Sequence, residues 1–178
     1  MPRQLLRDGR IVADDWTYLT DAGIAEAGNA EAVKASVLGS AHPSNAIILT
    51  FDQWRSDEPR WRAAPKRLGV ILAPVDKVEH LAPDLARFDL VGAEFPGPSD
   101  GRGYTQGRLL RERYGWRGEL RATGYVRRDQ VFFLARCGFN SFELPDSDLE
   151  VAADAFSTFT ASYQPTNDLG LALKLQHR

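Results

Sequence analysis

Apolar positions along the chain come in short continuous runs separated by amphipathic stretches. Ala46-Ile47-Ile48-Leu49-Thr50, Leu68 to Leu72 and Leu90 to Phe95 are almost wholly apolar, and Glu119 to Thr123 and Ser141 to Leu144 are shorter relatives of them. Runs of this length suit strands covered on both faces. After Thr50 the sequence is amphipathic but broken by Pro59 and Pro65, which predicts one or two short helices. Val78, Leu81, Leu85 and Phe88 then form one stripe of a helix from about Val75 to Arg87, which Pro83 should kink or split. Further helices are predicted from Tyr104 or Thr105 to Tyr114, ended by Gly115, and from Arg128 to Arg136. Ser147-Asp148-Leu149-Glu150 reads as a capping box opening a last helix with Leu149, Ala152, Ala153, Phe156 and Phe159 on its apolar side. Near the amino terminus, Leu5-Leu6 and Ile11-Val12-Ala13 flank Asp8-Gly9, a hairpin signal, with Trp16 and Tyr18 covering a core edge. A helix from about Asn29 to Leu38, stopped by Gly39, completes the set.

Five strands, each followed by helical sequence, imply right-handed βα units and a parallel sheet. Glu94, Arg121 and Glu143 lie within or at the ends of successive strands, where an open doubly wound sheet would bury them under helices. In a barrel they could face the polar mouth at the strand carboxyl ends, where sites of such folds sit. A full eight-unit barrel needs roughly 200 residues or more. The expected fold is therefore α/β and incomplete TIM-barrel-like, with an open doubly wound three-layer sheet as the alternative. It is expected as one domain over residues 1–178, with the hairpin inside 1–20 and a tail at 164–178.

Composition narrows the function. The net charge of −2 and pI of about 5.9 supply no global basic field, so neither nucleic acid nor an anionic membrane is an expected partner. Cys137 is the single cysteine, and no Cys/His cluster has metal-ligand spacing, so no metal is expected. The first residues do not resemble a signal peptide and no stretch of about 18 apolar residues occurs, which points to the cytoplasm. An incomplete barrel leaves sheet edges to cover, so self-association into a homo-oligomer is also expected.

Charge becomes informative only locally. Nine of the 18 arginines fall between Gly101 and Arg136 against three carboxylates, Glu112, Glu119 and Asp129. Arginine's planar fork suits sulfate, phosphate or carboxylate, although Arg108 and Glu112 also have the spacing of a surface pair. The loop Asp100-Gly101-Arg102-Gly103-Tyr104 lies between a strand and a helix, where glycines let backbone approach an anion. These features nominate Arg102, Gly103, Tyr104, Arg108 and Arg121 as ligand-binding residues and Glu94, Asp100 and Glu143 as acid–base candidates. Cys137, at a helix carboxyl end without a nearby histidine, reads as an inert thiol. No triad, P-loop or dinucleotide fingerprint is present, and the cofactor is left open.

The order of Phe95-Pro96, Asp100-Gly101-Arg102-Gly103-Tyr104, Arg108 to Gly115, Gly118 to Ala122, Arg128-Asp129-Gln130 and Arg136 to Phe139, together with Arg10 to Trp16, resembles the bacterial family DUF934. The resemblance implies a role beside assimilatory sulfite and sulfate reduction, under an oxidoreductase label that brings no established active site. It leaves two expectations: a sulfur-assimilation accessory binding a small anionic ligand, or a non-catalytic partner of a sulfite or sulfonucleotide reductase. Where the family pattern reads Gly-Asp-Val, this chain has Gly124-Tyr125-Val126.

Overall fold

The computed structural model of the protein describes residues 3–20, 23–24, 46–63 and 67–158. The expected helix at Asn29 to Leu38 and the tail at 164–178 lie outside the described residues.

Asp8 and Gly9, both in the left-handed region at φ 51° and 75°, turn β1 (Gln4–Arg7) back onto β2 (Arg10–Ala13), which forms the expected hairpin. β3 (Thr17–Thr20) and β4 (Gly23–Ile24) follow, and then the predicted apolar runs: β5 (Ala46–Thr50), β6 (Arg67–Leu72), β7 (Leu90–Phe95), β8 (Glu119–Gly124) and β9 (Ser141–Phe142). The sheet order among the described residues is β2-β1-β9-β8-β7-β6-β5-β3-β4. From β5 through β9 neighbours in space are neighbours in sequence, all parallel, and β3 joins the far side of β5 in parallel with β4 antiparallel beyond it. A doubly wound sheet would reverse its order partway, so the winding is that of a barrel and the three-layer alternative does not occur.

The sheet must also curl. Only Asp14, Asp15 and Trp16 join β2, at one edge, to β3, near the other. Those residues span at most about 14 Å, whereas the ladder steps from β2 to β3 would hold them roughly 34 Å apart in a flat sheet. The strap from Asp14 to Trp16 therefore crosses the hollow of a half barrel.

Helices cover the convex side. α1 (Phe51–Ser56) is opened by a capping box in which Gln53 N–H donates to Thr50 Oγ1 at 3.2 Å and Thr50 N–H donates to Gln53 Oε1 at 2.9 Å. α2 is Glu58–Ala63, and α3 (Val78–Leu81) tightens into a 3-10 turn over Ala82–Arg87, the split that Pro83 predicted. α4 (Arg102–Arg108) widens into a π-helical turn over Leu109–Arg113, and α5 is Val131–Arg136. α6 (Asp146–Thr158) begins earlier than the capping box at Ser147 implied, with the buried Asp148 carboxylate facing Arg127 at 3.4 Å. The main core lies between these helices and the convex face, around Trp54, Trp61, Leu81, Phe95, Leu110, Leu134 and Phe142.

Candidate functional site

Residues opposite one another in a parallel ladder point to the same face. Thr50, Ile71, Gly92, Arg121 and Ser141 make one such row, Ile48, Gly69, Leu90 and Glu119 the row below it, and Glu94 and Thr123 the row above. The concave face is consequently layered from the strand amino ends to the carboxyl ends. At the bottom, Trp16 of the strap packs with Ala46, Ile48, Ile71 and Leu90 in a small apolar cluster.

The middle layer is ionic. Arg121 is fully buried, and every one of its donor nitrogens reaches a carboxylate. Nη1 and Nη2 donate to Asp14 Oδ2 and Oδ1 at 3.0 and 3.1 Å, Nε and Nη2 donate to Glu119 Oε1 at 3.1 and 2.8 Å, and Nη1 donates to Glu143 Oε1 at 3.2 Å. Glu143 also accepts from the Tyr18 hydroxyl and pairs with Arg3, while Arg7 reaches Glu119 at 3.3 Å. Burial alone would lower the Arg121 guanidinium, but Asp14 and Glu119 outweigh it and hold the pKa above the ordinary range. Burial, and then the Glu143 carboxylate, push the Tyr18 phenol upward. Two buried polar atoms stay without a hydrogen-bond partner here, Ser141 Oγ and Trp16 Nε1.

Above this layer the half barrel opens into a cleft of about 500 Å3 at the carboxyl ends of β5, β6 and β7. Ile71 and Phe51 line its apolar part and Thr50, Gln53, Asp52, Asp76 and Glu94 its polar part. Asp76 Oδ2 accepts from Ala73 N–H at 2.7 Å, and Gln106 of α4 donates to the carbonyls of Ala73 and Asp76 at 2.8 and 2.9 Å, so a helix side chain fixes the cleft's loop. Burial raises the Asp76 pKa; the Ala73 bond opposes the rise and the neighbouring Asp52 charge adds to it.

The sequence-nominated residues divide among these places. Glu94 is exposed in the cleft, whereas Arg121 and Glu143 sit in the ionic layer. Asp100 and Arg102 stand on the loop after β7 and hold each other, with Arg102 Nε and Nη2 donating to Asp100 Oδ1 and Oδ2 at 3.0 and 2.5 Å. Those bonds, joined by the Arg102 backbone N–H, keep the Asp100 carboxyl at about 2. Gly103 is buried against Phe95, where a Cβ would come within 2.5 Å of the ring, and Tyr104 meets the same ring edge-on at 5.2 Å. Arg108 is exposed and pairs with Glu112 at 3.1 Å.

Several members were not nominated. Asp14 and Tyr18 are far from Arg121 in sequence, and the available signal was Asp14's place in the Arg10 to Trp16 motif. Arg111 was counted only as part of the arginine excess. It is buried over Trp116, donating to the carbonyls of Gly138, Trp116 and Gly118 at 2.9, 2.8 and 3.0 Å, and burial lowers it to about 10, with Arg117 adding to the effect. Cys137 is half-buried with its thiol pushed up by burial, which fits the inert reading.

Fold and site together define a singly wound α/β half barrel whose hollow is filled by an apolar and an ionic layer and whose carboxyl-end mouth is an open, acid-lined cleft. Within that class the DUF934 profile, described as a bacterial protein of unknown function, matches residues 69–173. The chain belongs to the DUF934 family. No curated protein of known description matches the chain. Among the described residues no helix is long and apolar enough to cross a membrane, and no group of metal-binding side chains gathers.

Proposed function

We propose that the chain is an accessory protein of assimilatory sulfite and sulfate reduction that binds a small oxyanion or phosphate-bearing ligand at the strand carboxyl ends. The observation that carries the reading is the cleft over Glu94, placed where βα half barrels present ligand sites. Arg102, exposed on the loop that leaves the same strand, offers the anion a guanidinium that among the described residues is paired with Asp100. The cleft's carboxylates repel a bare anion but accept hydrogen bonds from sugar or other hydroxyl groups, so the ligand of this reading is a sulfonucleotide with its hydroxyls in the cleft and its anionic group towards the Arg102 loop. Glu94, exposed in the cleft, is the proton-transfer candidate; Asp100, held ionised, serves to orient Arg102. In a thermal-shift experiment a sulfonucleotide, and more weakly sulfite or sulfate, raises the melting temperature by several degrees, as a native-state ligand must. Arg102→Ala removes most of that rise. Unchanged melting at millimolar ligand sinks the reading.

One observation favours the second reading, a non-catalytic partner docking on a sulfite or sulfonucleotide reductase. α5 and α6 leave between them an apolar groove of about 270 Å3 lined by Val131, Phe132, Phe133, Ala152 and Phe156, with Phe133 59 % exposed. Exposed aromatics of this kind act as interface anchors. Purified sulfite reductase is retained by the immobilised protein and released by Phe133→Asp; equal retention by the variant rules this surface out.

A further inference from the structure

Three carboxylates grip Arg121, and one of them is of different origin. Glu119 lies on the same strand as Arg121 and Glu143 just beyond the neighbouring one, so both are fixed by the sheet. Asp14 belongs to the strap between β2 and β3, outside the residues matched by the family profile. It meets Arg121 with both oxygens on both terminal nitrogens at 3.0 and 3.1 Å, the two-pronged geometry in which arginine takes a free carboxylate, sulfate or phosphate. Its Oδ1 also accepts the Trp16 backbone N–H at 3.2 Å. In its contacts Asp14 behaves as a bound oxyanion.

Charge and unsatisfied donors agree with that description. Asp14, Glu119 and Glu143 balance Arg121, Arg3 and Arg7, so without Asp14 the cage carries one uncompensated positive charge. Directly across the ladder from Arg121, on the same face, Ser141 is fully buried and its hydroxyl has no hydrogen-bond partner. A buried hydroxyl without a partner is costly, and an anion with a third oxygen beside Arg121 would engage it where the two-oxygen carboxylate of Asp14 does not.

We propose that Arg121 and Ser141 form an oxyanion seat inside the half barrel and that the Asp14 carboxylate is its built-in occupant. The proposal deepens the oxyanion reading and rests on it for the ligand class. It places a second, internally filled anion position beneath the cleft.

The test vacates the seat in the full chain with Asp14→Gly and reads the melting temperature in sodium acetate, sulfate or chloride at matched ionic strength. The variant melts well below the wild type in chloride. Acetate and sulfate raise it saturably by several degrees, while the wild type, its seat filled, shows only the non-saturating gain that an excluded salt gives any folded protein. Asp14→Asn, which refills the space with an amide, shows no saturable rise. Adding Ser141→Ala to Asp14→Gly weakens the sulfate response about two- to tenfold, the worth of one hydrogen bond. If Asp14→Gly is unfolded in chloride, recovery of its circular dichroism that saturates at millimolar acetate or sulfate is the same positive result, whereas recovery that keeps rising to molar sulfate is salt exclusion and counts against the seat. A variant that responds to all three anions alike, or that no anion folds, overturns the proposal. The sulfonucleotide measurement keeps Asp14 in place and reads Arg102, so either test can fail without the other.

Discussion

Arg111 and Arg121 carry the same side chain into the interior and are satisfied in opposite ways. Arg121 finds carboxylates, which raise its affinity for the proton, whereas Arg111 finds backbone carbonyls, which leave burial to dominate. An arginine count could not separate them, because the distinction lies in what each meets after folding. At Asp76 the same competition bears on stability. Its folded pKa is raised, so its contribution is complete below the unfolded value of about 4 and is lost as pH rises through the folded value. Asp76→Asn keeps an acceptor for the Ala73 N–H and removes the charge, so it stabilises the protein at neutral pH by less than about 1 kcal/mol, screened as this half-buried site is. Urea melts at pH 3 and pH 7 check this: the variant's advantage should vanish at the lower pH, and an advantage of equal size at both would contradict the assignment.

At the scale of elements, the glycines of the Asp100 to Gly107 stretch were open to two uses, letting backbone approach an anion or making a turn. Two of them also admit aromatic rings. Gly103 and Gly107 let α4 settle onto Phe95 and Phe139, where a Cβ would fall 2.5 and 2.4 Å from ring carbons, while Gly101 has only ordinary contact with Tyr104 at 3.8 Å. Gly103→Ala is therefore expected to cost about 1–3 kcal/mol through overpacking despite alanine's better helix propensity. Gly101→Ala should stay within about 0.5 kcal/mol of the wild type. Denaturant midpoints for the pair distinguish packing glycines from turn glycines, and equal effects would remove the packing account. The same scale explains the caps. Thr50 and Gln53 form the box that α1 needs, whereas α6 starts before Ser147, because a four-residue pattern does not record where the preceding chain delivers the helix.

For the whole molecule, winding and curl decide what the charged strand residues become. Sequential parallel strands place all five predicted βα units on one convex side, so among the described residues the opposite face has no helical cover. The chain covers it with its own amino-terminal strap, and the polar strand residues close on that strap rather than on a solvent-filled mouth. What remains open is the upper cleft, and with it Glu94. The sequence by itself determined the strands from Ala46 onward, the hairpin, the Pro83 break and the α/β class, with the half barrel expected over a doubly wound sheet, because apolar periodicity, turn chemistry and the cost of burying charge act locally or along one element. Only the tertiary structure decided that Arg121 would face Asp14 across 107 residues of chain and that Glu94 would join Asp52 and Asp76 in an open cleft. The physical reason is that a charge's partner is set by three-dimensional proximity, and proximity here follows from how far the sheet curls.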